Sequence, residues 1–324
     1  MSALKINSLR RLSSGSKHCA FTDLCEQFGL TLCCYREANN HVSSDGVIVV
    51  VAINKKGEMF KQRFSATGWD LRDPKFYLEA NGKLRIVAFA KAGTRETKVI
   101  GNHMMSWFTT TGRSWSSATT FGPKNWWLWK CKNFDNKAWG IAYNNPHERI
   151  DLYSGSISGH LERVKDGILS KAKHQLGYPN ESDLYLGQNK VMWAIVRRDA
   201  DSYSAQLGCA KAPYTQWQWF DLGCYIGGPV WASLSEEHML VAGRDWDGKK
   251  TLTTAIWSLS LKTKTLTKQL TLPSGGDTSY PGLVVEGDIL KMSYYSSHID
   301  QQSRVYLAQI SGLDSLKNEL ETAG

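Results

Sequence analysis

Short apolar runs separated by polar turns repeat along the whole chain. Runs such as Lys83-Leu84-Arg85-Ile86-Val87-Ala88-Phe89 and Val191-Met192-Trp193-Ala194-Ile195-Val196 are too apolar for a half-exposed sheet. They suit strands covered on both faces by neighbouring sheets. The repeating unit is an apolar strand, a short polar turn, and a second apolar strand that ends in polar residues. Its turns fall at Gly29 and near Gly82, Lys137, Asn189, Glu237 and Gly287, at intervals of 53, 55, 52, 48 and 50 residues. A second marker keeps the same beat: a polar turn followed by an aromatic or apolar residue, as in 54–60 and 109–115, with Trp219 and Leu266 in similar places later. A period of about 50 residues with several strands per repeat predicts a β-propeller. Unrelated hairpins in a sandwich or barrel would not keep such a period. The expected fold is all-β: a single six-bladed propeller over residues 1–312. A tail over 313–324 has the pattern of one short amphipathic helical segment.

Composition narrows the class. With 324 residues the chain is long enough for a large core, and 13 Trp and 28 Gly against 8 Pro agree with many short strands and tight turns. The formal charge of +9 is scattered from Lys5 to Lys317 rather than gathered in a basic run, which argues against a nucleic-acid partner. Met1 to Ser16 holds no apolar run of signal-peptide length, and no stretch approaches the ~20 apolar residues of a membrane span. The seven cysteines form no CxxC pair and are odd in number, so reduced thiols and a cytoplasmic protein are expected. Cys33-Cys34 lies inside an apolar strand and reads as buried. His and Cys show no zinc spacing, and no metal or organic cofactor is expected.

In a propeller the first strands of all blades line one axis, so their starts and the ends of the second strands meet in one funnel. The second strands end at Arg36-Glu37, Lys91, Asn144, Arg197-Arg198, Arg244-Asp245 and Tyr295. The first strands begin near 18–21, 70–73, Asn125-Trp126, Asn180-Glu181, Gly228-Pro229 and Thr278-Ser279-Tyr280. The funnel therefore gathers several arginines, several carboxylates and a tyrosine. Guanidinium forks suit carboxylate or phosphate, and a tyrosine beside an acid can be deprotonated as it attacks. For any one arginine an ordinary ion pair is the simpler reading, Arg72 between Asp70 and Asp73 being an example. Trp126, Trp127 and Trp129 suit either a blade core or a stacking surface for a sugar. Trp217 and Trp219 read as blade packing.

The segment Ser279-Tyr280-Pro281-Gly282-Leu283, with Asp288-Ile289-Leu290 and Tyr294-Tyr295, resembles the last-blade motif of the sialidase superfamily. That motif carries the family's tyrosine nucleophile. Asn180-Glu181 and Arg197, 16 residues later, resemble the family's paired Glu and Arg, and Arg244 looks like the last member of its arginine triad. A closer similarity is to bacterial sialidase-like and exo-sialidase-like proteins with degenerate Asp-boxes. It rests on 20–24, Tyr35-Arg36-Glu37, 41–46, 70–75 and 275–283. The turns at 53–60 and 109–115 resemble Asp-boxes that have lost their Asp, with Thr110 in its place. In place of the family's opening Arg-Ile-Pro-like motif stands Ala20-Phe21-Thr22, so the first triad arginine is missing. Arg36 or Arg72 would have to substitute.

The resemblance implies a retaining glycoside hydrolase acting on a glycan such as an acidic sugar. Tyr280 would be the nucleophile, Glu181 its base and Asp45 the acid/base. Arg36, Arg72, Arg197 and Arg244, with His41, Asp73 and Asp277, would contact the carbohydrate. The alternative is a non-catalytic propeller that binds a glycan or a protein through the same funnel, favoured by the missing arginine and the decayed Asp-boxes.

Overall fold

The computed structural model describes residues 3–322. Among them, 24 strands form six four-stranded antiparallel sheets arranged as the six blades of a β-propeller. The first strands of the blades are His18–Gln27, Trp69–Leu78, Trp127–Phe134, Pro179–Leu186, Gly227–Ser233 and Ser279–Glu286. Each touches the first strand of the next blade, and the sixth touches the first, so the ring is closed. Every one of the six turns read from the sequence joins the first and second strands of a blade.

Closure uses both ends of the chain. The sixth blade takes its fourth strand, Lys5–Arg11, from the N-terminus, paired antiparallel with Arg304–Ser311. The repeat had not assigned that strand, because it lies before the first full unit. The C-terminal segment forms a helix, Leu313–Thr322. Its Leu313 and Leu316 are buried against Leu4, Leu290 and Ile310, and Asp288 accepts from the backbone N–H of Gly312 and Asp314 at its start. Among the described residues no helix is long and apolar enough to cross a membrane.

Apolar strands lie face to face between blades. Leu32 and Val50 of blade 1 pack with Ile86 and Trp107 of blade 2, and Ile195 and Leu207 of blade 4 pack with Val241 and Trp257 of blade 5. All seven cysteines are free thiols, with Cys33 and Cys34 fully buried. Burial pushes the Cys33 thiol up to about 12, so it is held as a protonated packing group. In the turns between third and fourth strands, Asn54 Oδ1 accepts from Lys56 and Glu58, and Thr109 Oγ1 accepts from Thr111 and Gly112. In the second of these turns it is thus Thr109, not Thr110, whose hydroxyl caps the turn.

One irregularity repeats in every blade. The pairing of first and second strands slips at the same point six times, between Ala20/Asp23, Arg72/Lys75, Leu128/Cys131, Pro179/Ser182, Gly227/Val230 and Ser279/Gly282. These are β-bulges, which bend a strand and re-aim a side chain. Four of them hold a residue in the left-handed region: Phe21 at φ 61°, Asp73 at 46°, Gly228 at 56° and Tyr280 at 48°.

Beyond the last bulge the backbones of blades 6 and 1 nearly touch. A Cβ on Gly282 would lie 2.1 Å from the Leu24 nitrogen. Gly282→Ala should therefore destabilise the fold by about 1–3 kcal/mol or more, the range for overpacking a rigid interior. Urea denaturation would show this as a lower midpoint with an unchanged slope.

Candidate functional site

The bulge at the head of blade 6 turns Tyr280 inward, where it is buried. Its Oη donates to Glu181 Oε1 at 2.7 Å. Arg197 Nη1 donates both to that hydroxyl at 2.5 Å and to Glu181 Oε1 at 2.6 Å. The other oxygen, Glu181 Oε2, accepts from the Gly228 backbone N–H at 2.7 Å. A carboxylate held by three donors on different blades has little freedom to turn away. Gly228 is required twice over: it sits at φ 56°, and a Cβ there would lie 2.7 Å from Tyr280 Cδ1. Arg244 covers the opposite side, its guanidinium carbon 4.7 Å from the centre of the Tyr280 ring. It is fixed by Thr278 O, by Asp277 Oδ1 at 2.6 Å and by the Tyr295 hydroxyl at 2.8 Å.

Burial is the largest influence on the Tyr280 phenol and pushes it well up; the charge of Arg197 pulls it down and that of Glu181 pushes it up again. At rest the phenol keeps its proton, and that proton points at Glu181. Burial also pushes the Asp73 carboxyl up to about 6, against the pull of Arg72 and Lys75 and with a further push from Glu181.

These groups line one open cavity of about 410 Å³ at the mouth of the axis. One wall is aromatic. Trp127 stacks on Phe89 at 4.1 Å and on Tyr143 at 5.5 Å, and Trp129 stands edge-on to Tyr280 at 5.9 Å. The other walls carry Asn180, Asp199, Arg72 and Asp73. Apolar faces with a few fixed polar groups are what a sugar-sized ligand needs. Of the tryptophans, Trp127 and Trp129 reach the cavity, whereas Trp126 stacks on His147 away from it.

Seven of the ten residues expected at the site line this cavity: Tyr280, Glu181, Arg197, Arg244, Arg72, Asp73 and His41. Asp277 lies behind it and holds Arg244 and His41. The remaining two lie outside. Arg36 is fully buried and donates to Asp70 Oδ1 at 2.8 and 3.0 Å and to the carbonyls of Asn40 and Ser43. A guanidinium with no exposure must take the nearest carboxylate and carbonyls, so Arg36 ties the 40–43 loop to blade 2. The Asp45 side chain is 41 % exposed; it lies 3.9 Å from Lys17 and accepts from the Asn39 N–H, closing the base of the same loop. Arg72 does face the cavity, and it is also ion-paired with Asp70 at 3.0 Å and donates to the His41 carbonyl.

Sequence reasoning missed Asp199, which accepts from Arg197 Nε at 2.9 Å and from Asn180. Its position two residues after Arg197, hence on the same face of an extended chain, was the available signal. Gly228 and Tyr295 were placed at the funnel edge by the repeat, but nothing in the chain marked the Gly228 N–H as a partner of Glu181 or the Tyr295 hydroxyl as a partner of Arg244. Among the described residues, His18, His41 and Asp277 are the cluster with metal-ligand chemistry. However, His41 Nδ1 and Asp277 Oδ2 are 2.6 Å apart, a hydrogen-bond spacing. Two ligands of one tetrahedral zinc sit about 3.3 Å apart.

A carboxyl raised in the fold costs nothing while protonated and destabilises progressively as pH rises through its folded value. Asp73→Asn, which tolerates the same backbone, should therefore raise the melting temperature at pH 7. The gain should correspond to about 3 kcal/mol. It should shrink as pH falls below about 6 and vanish near pH 4; melting curves from pH 4 to 8 check this.

No family model matches the chain, and no curated protein matches it in sequence. Solved structures do resemble it. A Dyadobacter fermentans protein of unknown function superposes with TM-score 0.79 at 13 % identity, over 96 % of this chain and 100 % of that one. Trypanosoma rangeli sialidase, in complex with the inhibitor DANA, superposes with TM-score 0.69 at 12 % identity, over 99 % of this chain. The match spans 61 % of that sialidase. A family 117 glycoside hydrolase from the marine bacterium Zobellia galactanivorans matches with TM-score 0.53 at 8 % identity, over 75 % of this chain and 85 % of that one. At these identities the likeness is one of architecture: the chain has the six-bladed propeller fold of the sialidases.

Proposed function

We propose that the protein is a retaining glycoside hydrolase that uses Tyr280 as its nucleophile. The observation that carries this reading is the 2.7 Å hydrogen bond from the Tyr280 hydroxyl to Glu181, inside a cavity of sugar size. A phenol with a raised proton affinity is a poor nucleophile until a base takes its proton during attack. Glu181 is placed to take it, and Arg197, already in contact with the same oxygen, stabilises the charge that develops there. A tyrosine nucleophile is the exception that sialidases represent among retaining glycosidases.

The substrate is a glycan whose terminal sugar packs on Trp127 and Trp129 and offers hydroxyls to Asp73, Asp199 and Asn180. Arg72 and Arg244 supply further donors. Phe21 stands where the resemblance would put the first triad arginine, and Asp45 has no place in the scheme because it lies outside the cavity. Had Tyr280 and Glu181 been out of mutual reach, a non-catalytic glycan-binding propeller would have been the better reading.

Wild type and Tyr280→Phe, assayed on fluorogenic sialosides, uronosides and neutral glycosides, test the proposal. Wild type should release the fluorophore from one class with retention of anomeric configuration. Tyr280→Phe should lose all measurable turnover while keeping its melting temperature. Glu181→Gln should lose roughly 10²–10⁴-fold in kcat. Undiminished turnover by Tyr280→Phe would remove the tyrosine from the mechanism.

A further inference from the structure

We propose that His41, held by Asp277, is the general acid/base of the cavity, the group that protonates the departing glycosidic oxygen and later activates water. This rests on the retaining-glycosidase reading above. His41 lines the cavity, and its side chain is 43 % exposed. Its Nδ1 is 2.6 Å from Asp277 Oδ2. Asp277 is locked in turn through its other oxygen by Arg244 at 2.6 Å and by the Tyr295 hydroxyl at 3.0 Å. Burial pushes the Asp277 carboxyl up, but the hydrogen bond from His41 and the charge of Arg244 outweigh it and hold the group below its usual range. Asp277 is therefore an anion that only accepts, so the proton between the two sits on Nδ1. That leaves Nε2 as the ring's working atom, in the arrangement that orients a catalytic imidazole.

The backbone that carries His41 is braced for this task. Arg36 donates to the carbonyls of Asn40 and Ser43, and Arg72 donates to the carbonyl of His41 itself. Phe21 stands edge-on to both reacting side chains, its ring centre 5.0 Å from that of His41 and 5.1 Å from that of Tyr280. In a pocket that takes the terminal sugar, the rest of the glycan leaves through the mouth, so the proton donor must stand near the rim. His41 does. Of the other carboxyls on the cavity wall, Asp73 is only 5 % exposed, and Asp199 is taken up by Arg197 and Asn180.

In the first step the Tyr280 oxygen bonds to the anomeric carbon as the bond to the leaving oxygen breaks. Glu181 takes the phenolic proton, and His41, entering this step as the imidazolium protonated on both nitrogens, gives its Nε2 proton to the leaving oxygen and becomes neutral. In the second step neutral His41 takes a proton from water, whose oxygen bonds to the anomeric carbon. The tyrosyl ether breaks, and Glu181 returns its proton to Tyr280.

The test is the dependence of kcat/KM on leaving-group acidity, for wild type, His41→Ala, Asp277→Asn, Asp73→Asn and Tyr280→Phe on aryl glycosides from 2,4-dinitrophenyl to phenyl. His41→Ala should lose roughly 10²–10⁴-fold on the phenyl glycoside and less than about tenfold on the dinitrophenyl one. Azide should restore turnover of the latter by forming the glycosyl azide. Asp277→Asn should shift the same way, but less. An equal loss on all leaving groups, or the steep dependence appearing in Asp73→Asn instead, would overturn the His41 assignment while leaving the glycosidase intact. Release that is absent in wild type or unchanged in Tyr280→Phe would overturn the parent reading. Independently of any substrate, long-range ¹H–¹⁵N NMR should show neutral His41 protonated at Nδ1 in wild type and not in Asp277→Asn. An Nε2–H tautomer in wild type would sink the proposal.

Discussion

Six first strands line one axis, and none of them keeps a regular ladder with its neighbour in the blade. Each first strand bulges at the same point, and Phe21, Asp73, Gly228 and Tyr280 accept left-handed backbone there. Left-handed backbone costs of order 1–3 kcal/mol at a residue other than glycine and persists only where the surroundings enforce it. Here the enforcement is the closed ring, with both chain ends joined in the last blade. The bulges aim Phe21, Asp73 and Tyr280 into one cavity at the axis. The site depends on that ring more than on any local sequence.

Within the circle, charge is arranged in pairs. Arg197 is matched by Glu181 and Asp199, Arg244 by Asp277, and Arg72 and Arg36 by Asp70. A buried guanidinium without a carboxylate would cost several kcal/mol, so pairing is what lets so many arginines share one funnel. It also divides the labour among them. Arg197 and Arg244 touch Tyr280, whereas Arg36 and Arg72 hold the loop over the cavity. The same residue type contacts the tyrosine in one pair and braces a loop in the other.

The outcome is a cavity with an aromatic wall on one side and oriented polar groups on the other. Tyr280 and Glu181 meet on the blade 4 side, and His41 and Asp277 meet where blades 1 and 6 adjoin. In the proposed reading these two hydrogen-bonded pairs are the proton-transfer groups that serve one sugar-sized space.

The sequence by itself determined the repeat, the six blades and most of the funnel. Apolar periodicity and turn spacing are local properties, and a propeller repeats one local unit; hence each of the six turns, and the edge to which Arg197, Arg244, Glu181 and Tyr280 belong, was legible. Only the tertiary structure decided what those groups touch. Arg36 and Arg72 look equivalent in the chain, yet one is sealed behind the loop and the other faces the cavity, because Asp70 and the 40–43 carbonyls capture the first completely. Asp45 and His41 lie four residues apart, and a loop closed by Asn39 and Lys17 sets His41 on the cavity and Asp45 outside it. The partner of His41 lies 236 residues away. Hydrogen bonds of that separation exist only once the ring has closed, which is why no pattern in the chain announced them.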